Sequence, residues 1–193
     1  NIYLSYALPV NQGLSQIDGL SLVVGVAVSK AIQRATGICA MLKWPNDVLI
    51  NDSKVAGILL ELVGDPVELC HVVIGIGVNL NMLDSFGGID QQWTSLAKEV
   101  GGVIDRTSFA SILLEELDIY LEKQAKYGFS SLKAEWLELH AWQQRSVLLH
   151  MGHESVNGVV TGIGNKGELC LLVDGEERKY LGGELSLRLN HAT

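Results

Sequence analysis

Residues 43–62, KWPNDVLINDSKVAGILLEL, combine a polar turn with one lysine beside a long apolar run. Pro45 fixes its own φ, and the side chains of Asn46 and Asp47 can hydrogen-bond to nearby backbone, so PND predicts a tight turn. Lys54 precedes VAGILLEL, and its ammonium group must therefore reach solvent or meet an anion. A plain hairpin explains this pattern, and so does a turn that presents an amide and a carboxylate to a ligand.

Glycines in two strand-like segments suggest where such a ligand would lie. Gly57 follows Lys54 inside a strand, where glycine costs stability unless a ligand or backbone approaches closely; a β-bulge is the alternative. Gly75 and Gly77 occupy alternate positions in GIGVN and leave one face of a strand without side chains. Asn79 offers a hydrogen-bond donor and acceptor at its end. Together these features predict a groove for an apolar ligand that carries an anion.

Other site chemistries find no support in the sequence. GIGVN is not a dinucleotide fingerprint, because no G-x-G-x-x-G opens a helix. There is no Ser/His/Asp order, no thiol nucleophile signature and no metal-ligand spacing. The three cysteines lie scattered in apolar segments, which predicts reduced core thiols in a cytoplasmic protein.

Composition narrows the class of protein. Hydrophobic residues make up 48% of the chain and charged residues only 19%, so a large core can be buried. No stretch reaches the roughly 18 uninterrupted apolar residues of a membrane span, which predicts a soluble protein without a membrane partner. A net charge of -8, with no basic stripe, predicts that this chain does not itself bind nucleic acid.

The predicted elements begin with a strand at residues 2–8 and a helix at 18–36, capped by Asp18 and ended by Gly37. Further strands are predicted at residues 39–43, 48–50, 55–63 and, after a loop at 64–68, within the apolar run 69–82.

The second half predicts helices and then short strands. Residues 81–92, rich in Gly, Asn and Asp, predict a mobile loop. Asp105 is predicted to cap an amphipathic helix, and residues 130–140 to form another. After Trp142, short alternating strands between turn signals predict a small β-barrel, with a boundary near Ala141.

Three segments, KWPNDVLINDSKVAGIL, VIGIGVNLN and GGELSLR, together resemble biotin protein ligases in order and spacing, and more closely the bacterial biotin–carboxylase-carrier ligases. The resemblance covers essentially the whole chain. It implies an α+β fold: a mixed β-sheet with packed helices in a catalytic domain at residues 1–140, then an SH3-like β-barrel at residues 141–193.

The resemblance also implies an activity. This family forms biotinyl-5'-AMP from biotin and ATP with magnesium, and then transfers biotin to a lysine of a biotin carboxyl carrier protein. Joining a carboxylate to a triphosphate requires that negative charge be cancelled at the reacting oxygens, which a lysine and a metal can do. No protein nucleophile is needed, which agrees with the missing triad.

Site residues are implied position by position. The implied catalytic residues are Lys54 and Asp47, with Asp47 also a magnesium ligand. The implied biotin-binding residues are Lys54, Gly57, Ile58, Leu59, Gly75 and Gly77. The implied ATP and adenylate contacts are Lys43, Asn46, Asp47, Asn79, Trp93, Glu184 and Arg188, with Trp93 covering adenine once the preceding loop orders.

One departure concerns the start of the chain. The family carries a Gly/Arg-rich loop, of the form G-R-G-R-x-x-R, before the strand that opens this sequence, and some members carry a DNA-binding helix-turn-helix further upstream. We therefore expect this chain to be the C-terminal portion of a ligase, with DNA binding only through an upstream domain and with a homodimer compatible with the family. The alternatives are a non-catalytic module that binds biotin or adenylate, and a lipoate-attaching relative.

Overall fold

The computed structural model describes residues 1–11, 13–65, 69–84, 91–182 and 185–190. The first sheet is formed by β1 (Ile2–Val10), β2 (Met41–Lys43), β3 (Asp47–Ile50), β4 (Ser53–Asp65) and β5 (Leu69–Val78). The helices are α1 (Leu20–Thr36), α2 (Leu96–Val100), α3 (Arg106–Tyr127) and α4 (Lys133–Glu138). The second sheet is formed by β6 (Ser146–Met151), β7 (Glu154–Ile163), β8 (Leu169–Val173), β9 (Glu176–Tyr180) and β10 (Leu185–Leu189).

The first sheet has the order β1-β5-β4-β3-β2, and its neighbouring strands are all antiparallel. Parallel pairing among the described residues is confined to two isolated bridges, Leu42 to His140 and Lys54 to Trp93. The α+β class with helices packed on a sheet is confirmed, and the parallel component expected of a mixed sheet is limited to these bridges.

Helix α1 is largely buried and packs against β2, β3, β4 and α3. Gly37 ends it in the left-handed region, with φ 76°, as predicted. The prediction that Asp18 caps its start was wrong: Gly19 is the N-cap residue, and Asp18 ends a preceding 3₁₀ turn, Leu14–Ile17. The side chain of Asp18 instead lies 3.9 Å from the ammonium group of Lys166.

The later helices follow the sequence pattern in part. Asp105 caps α3 as predicted, and its carboxylate accepts a 2.7 Å hydrogen bond from the Ser108 backbone N–H. The helix predicted at residues 130–140 is shorter, because a 3₁₀ turn, Phe129–Ser131, precedes α4. Helix α2, capped by Ser95, was not predicted from the sequence.

One face of the first sheet forms the main core with these helices. Along β5 the buried residues alternate with half-buried ones, so that Val72, Ile74, Ile76 and Val78 turn toward the helices. His71, Val73, Gly75 and Gly77 therefore turn to the opposite face. This second face of the sheet, which the helices do not cover, is called the open face below.

The second sheet has the order β10-β6-β7-β8-β9 and is antiparallel throughout. The short strands predicted after Trp142 are therefore present as one five-stranded sheet, while its SH3-like closure stays a prediction. The predicted boundary near Ala141 also stays a prediction. The connecting segment hydrogen-bonds to β2, since Leu42 donates to Leu139 O and Ala141 donates to Leu42 O.

Among the described residues, one helical stretch, Ser15–Thr36, is long and apolar enough to cross a membrane by length and composition alone. Its most apolar window is 61% buried inside the protein, as is usual for a core helix. Packing against the sheet and α3 accounts for its apolar composition.

Candidate active site

A row of residues crosses the open face of the first sheet from β2 to β1. Strand pairing places Lys43 opposite Asp47, Asp47 opposite Gly57, Gly57 opposite Gly77, and Gly77 opposite Tyr3. Directly cross-strand residues lie about 4.5–5.5 Å apart, so the row brings the charged end and the glycine end of the site together.

Asp47 lies at the centre of the charged end. Its Oδ2 accepts a 2.8 Å hydrogen bond from the Lys43 ammonium and a 3.4 Å hydrogen bond from the Gln91 amide. Its Oδ1 forms a close ion pair with the Lys54 ammonium. The Lys43 and Asp47 side chains are 5% and 8% exposed, against 35% for Lys54. Lys54 is therefore the member of this group that a ligand can reach.

Burial and charge act against each other in this group. Burial alone would raise the pKa of the Asp47 carboxyl group, but hydrogen bonds and charges from Lys43 and Lys54 outweigh it, so that pKa lies below its ordinary value. Burial lowers the pKa of the Lys43 ammonium, Asp47 opposes this shift, and Arg188 and Lys54 lower it further. Asp47 is thus ionised at neutral pH and holds its two lysines by charge.

Gly57 provides the space in which Lys54 lies. A Cβ atom at Gly57 would come within 3.1 Å of both Cε and Nζ of Lys54, and within 3.9 Å of Asp47 Oδ1. These contacts are tighter than most real Cβ contacts, so a side chain here would displace the lysine from Asp47. Gly57 is not itself a β-bulge, because it pairs with Asp47 and Gly77 and the register shift lies between Val48 and Leu49. The group that approaches it in the protein is the side chain of Lys54, and neither a ligand nor backbone.

The glycine end of the face is open to solvent in the described part of the chain. A Cβ atom at Gly77 would meet nothing within 4 Å, and one at Gly75 would meet only Leu59, at 3.6 Å or more. Leu59 and Tyr3 on the same face are 58% and 83% exposed. This surface is flat and apolar and begins beside the Lys54 ammonium.

Asn79 and Trp93 lie at the start of β4, beside Lys54. Backbone hydrogen bonds of 2.9 Å link Lys54 N to Gln92 O and Thr94 N to Lys54 O, which bridges Trp93 to Lys54. The amide of Asn79 donates a 3.0 Å hydrogen bond to Thr94 O, and no described residue donates to its Oδ1. The Lys98 ammonium lies 4.2 Å from the centre of the Trp93 ring.

The predicted mobile loop, residues 81–92, lies partly outside the described residues, which resume at Gln91. Its flanks are hydrogen-bonded: Asn81 exchanges two 2.9 Å bonds with the backbone of Ile104, and Gln91 reaches Asp47. Loop closure over adenine stays a prediction.

Ile58 and Asn46 occupy a different surface from the glycines. Ile58 is 3% exposed and pairs with Ile76 on the helix side of the sheet. Asn46 exchanges two 2.9 Å hydrogen bonds with the Ile58 backbone and so extends the sheet past the turn, whose Trp44–Pro45 bond is cis. Both residues border a cleft of about 680 Å³ at the free edge of β4, together with Leu59.

The remaining predicted residues come from the second sheet. Arg188 is an exposed residue of β10, close enough for its charge to act on Lys43. Glu184 lies outside the described residues. Two further residues of the site were not predicted: Gln91, which donates to Asp47, and Trp142, whose ring centre is 5.1 Å from the Lys43 ammonium. Both come from distant parts of the chain, and no local pattern marks them.

The resemblance implies that Asp47 holds magnesium, but the contacts of its carboxylate favour another role. Both of its oxygens already contact ammonium groups, whose charge would repel a divalent cation. Within the described ranges, no group of three or more His, Cys, Asp or Glu side chains is arranged to hold a metal ion.

Comparison with known proteins gives a consistent result. Residues 1–79 match the profile of the Biotin/lipoate A/B protein ligase family. The bifunctional ligase/repressor BirA of Escherichia coli (strain K12) is 35% identical over 189 residues, covering 97% of this chain and 59% of that protein. A biotin--[acetyl-CoA-carboxylase] ligase of Paracoccus denitrificans is 34% identical over 157 residues, covering 79% of this chain and 65% of that protein.

Solved structures agree. The apo biotin protein ligase of Aquifex aeolicus has a TM-score of 0.86 at 29% identity and covers 97% of this chain and 83% of its own. The same ligase in complex with biotin and ATP has a TM-score of 0.83 at 30% identity, and the match covers 97% of this chain and 79% of that one. The chain spans about 59% of the length of the BirA protein it matches. It belongs to the biotin protein ligase family.

Proposed function

We propose that this chain carries the active site of an ATP-dependent biotin ligase, which forms biotinyl-5'-AMP and transfers biotin to a lysine of a biotin carboxyl carrier protein. The observation that carries the proposal is the reachable Lys54 ammonium at the edge of a bare glycine face. Relatives named as biotin ligases, and a similar ligase structure with biotin and ATP bound, support it.

The charges suit a reaction between two anions. Lys43, Asp47 and Lys54 carry two positive charges and one negative charge, which leaves a net single positive charge directed outward through Lys54. In the proposed first step, a biotin carboxylate oxygen attacks the α-phosphorus of ATP and pyrophosphate leaves. A fixed ammonium group beside both anions lowers their repulsion and stabilises the charge that develops on the phosphate oxygens.

The second step needs no protein nucleophile. The ε-amine of the carrier lysine attacks the acyl carbon of biotinyl-5'-AMP, an amide bond forms, AMP leaves with the bonding electrons, and the amine loses a proton. The mixed anhydride supplies the driving force. This agrees with a site in which the described residues provide a reachable cation and a flat binding surface, with no Ser, Cys or His side chain among the described side-chain partners of Asp47 and Lys54.

The biotin ring system fits the glycine end. We assign Gly75, Gly77 and Leu59 to the biotin surface and Gly57 to the seat of Lys54. Ile58 lies on the other face of β4, so its expected contact with biotin requires a ligand that reaches the edge cleft. Asn79 Oδ1 can accept a hydrogen bond from the adenine amino group, with Trp93 beside it. Arg188, and Glu184 by resemblance, remain the proposed nucleotide contacts from the second sheet.

Magnesium, which the family resemblance implies, would accompany the phosphates of ATP. Asp47 does not suit this metal, because both of its carboxylate oxygens contact lysine ammonium groups. We further propose a cytoplasmic protein whose partners are biotin, ATP and the carrier. A homodimer, or DNA binding through an upstream domain, remains compatible with the resemblance to BirA.

The test is the replacement Lys54→Gln in the full-length protein. Glutamine keeps much of the stem but removes charge-assisted hydrogen bonds, which contribute roughly 1.5–3 kcal/mol each. We expect biotin-dependent exchange of labelled pyrophosphate into ATP to fall about 100-fold or more.

The matched control is Lys30→Gln, which removes a lysine that pairs with Glu135 at 3.1 Å on the helix layer. Exchange close to the parent rate in the Lys54 variant would contradict the assignment. A parent that binds biotin but catalyses no exchange would favour the non-catalytic module, and exchange with lipoate but not biotin would favour the lipoate-attaching relative.

A further inference from the structure

Lys43 is a buried lysine whose ammonium lies, within the described residues, between the Asp47 carboxylate and the Trp142 ring. It is 5% exposed, lies behind Asp47, and is covered by the ring of Trp142 at 5.1 Å. Its hydrogen-bond partner among the described residues is Asp47, at 2.8 Å. A buried charge carries a large desolvation cost and is retained where it meets an opposite charge.

The function of such a lysine follows from the order of charges. The Asp47 carboxylate lies between two ammonium groups, that of the buried Lys43 and that of the more exposed Lys54. Lys43 is therefore the inner cation and Lys54 the outer cation. The inner cation offsets the charge of the carboxylate. Lys54 then keeps a net positive charge toward the ligand, while the carboxylate still fixes the position of its ammonium.

Without the inner cation the balance changes. The charges of Asp47 and Lys54 alone sum to zero. An incoming carboxylate or phosphate would then be repelled by the Asp47 carboxylate about as much as it is attracted by the Lys54 ammonium. Attraction for the anions would fall, although Lys54 itself would be unchanged. Because Lys43 and Asp47 are buried, their charges act on a nearby anion more strongly than they would in water.

We propose that Lys43 is a positioning residue that neutralises Asp47, so that Lys54 presents a full positive charge to the reacting anions. This inference rests on the proposed ligase function. It differs from the expectation that Lys43 contacts the nucleotide and that Asp47 holds a metal, because both residues here act through Lys54.

The test compares Lys43→Met, Asp47→Asn and the double variant in the full-length protein, with pyrophosphate exchange as the readout. Lys43→Met keeps the length of the stem and removes the inner charge, and we expect exchange to fall about tenfold or more. In the double variant, Lys54 regains a net positive charge. We therefore expect the double variant to exchange several-fold faster than Lys43→Met alone.

Faster exchange by the double variant than by Lys43→Met alone distinguishes the proposed role of Lys43 from the alternative roles of Lys43 and Asp47. A merely structural pair would also be relieved by the double substitution, but exchange would then follow the melting temperature of each variant and would not fall in folded Lys43→Met. A nucleotide contact by Lys43, or a metal ligand role for Asp47, would make the double variant as slow as Lys43→Met or slower. That result would overturn the proposal, as would parent-like exchange by Lys43→Met. Lys30→Met is the control for loss of an ion-paired lysine elsewhere.

Folding is checked by thermal melting of each variant, and Lys43→Gln replaces Lys43→Met if the latter does not fold. A parent that catalyses no exchange refutes the proposed function itself. An active parent without rescue refutes only the role of Lys43.

Discussion

Gly57, Gly75 and Gly77 serve the site in two different ways. A side chain at Gly57 would strike Lys54 at 3.1 Å, so this glycine is required by the protein's own lysine. Side chains at Gly75 and Gly77 would meet little or nothing of the protein, and their absence therefore has no packing explanation among the described residues. The biotin surface proposed for this face would give that explanation.

We predict that Gly75→Val lowers biotin affinity at least about tenfold, which is about 1.4 kcal/mol, with a small change in thermal stability. Valine suits a strand, and the nearest protein atom would be 3.6 Å from the new Cβ. Calorimetric titration with biotin and a thermal melt measure the two quantities.

The control for this prediction is Gly25→Val, at a buried helix position where a Cβ would lie 3.4 Å from Leu42. Overpacking there should cost about 1–3 kcal/mol of stability and leave the affinity of the folded protein unchanged. If Gly75→Val instead melts early and its folded fraction binds biotin normally, Gly75 is a packing residue.

At the scale of elements, the segment between α4 and β6 joins the two sheets through His140. Its backbone bridges to Leu42 of β2, and its ring lies 4.5 Å from that of Trp136. Burial lowers the pKa of His140 to about 4, against a small opposing effect of its hydrogen bond with Gln143. The neutral ring is thus part of the junction.

This shift predicts a pH dependence of stability. Between pH 6.5 and about 4, His140 is protonated in the unfolded chain but neutral in the folded protein. Stability therefore falls as the pH is lowered through this window, by about 3 kcal/mol at most. Urea unfolding at pH 7, 5.5 and 4.5 measures the slope.

The variant His140→Phe keeps a ring against Trp136 without a titrating group, and we expect a shallower pH slope. Exposed His153 offers the control His153→Asn, which should retain the slope of the parent. Equal slopes in the parent and His140→Phe would mean that His140 does not contribute.

At the scale of the whole molecule, a turn of the second sheet docks on the first layer near the site. The Trp44 indole donates a 3.0 Å hydrogen bond to Gly167 O, and a Cβ at Gly167 would lie 2.8 Å from the Cα of Gly19. The same turn places Lys166 near Asp18. The KWPND turn is therefore held by the second sheet as well as by its own strands.

We predict that Gly167→Ala destabilises the protein more than Gly175→Ala. Both glycines have left-handed φ values, +85° and +84°, so both substitutions carry similar backbone strain. Only the new methyl group at Gly167 meets the backbone of Gly19, which adds about 1–3 kcal/mol to the loss of stability. Each kcal/mol lowers Tm by roughly 2–4 °C in a protein of this size. Equal Tm shifts in thermal melts would show that the docking contact contributes nothing.

Local patterns in the sequence located most of the strands and the two long helices, and they suggested the residues of the candidate site. Alternation and turn residues located the strands around Lys54 and Gly75 because these signals are local, and the cap at Asp105 followed from its own side chain. The quoted motifs were specific enough to give the family, because their residue types and order are tied to one reaction.

Which residues come into contact depends on tertiary structure. Gly19 and not Asp18 caps α1, since the chain there first forms a 3₁₀ turn. Ile58 turned to the helix side because strand side chains alternate, which the family motif alone does not reveal. The burial of Lys43 behind Asp47, and its cover by Trp142, depend on strand pairing and on a contact from about 100 residues away. Such contacts leave no periodic signal in the sequence, because they arise only when distant strands and helices pack.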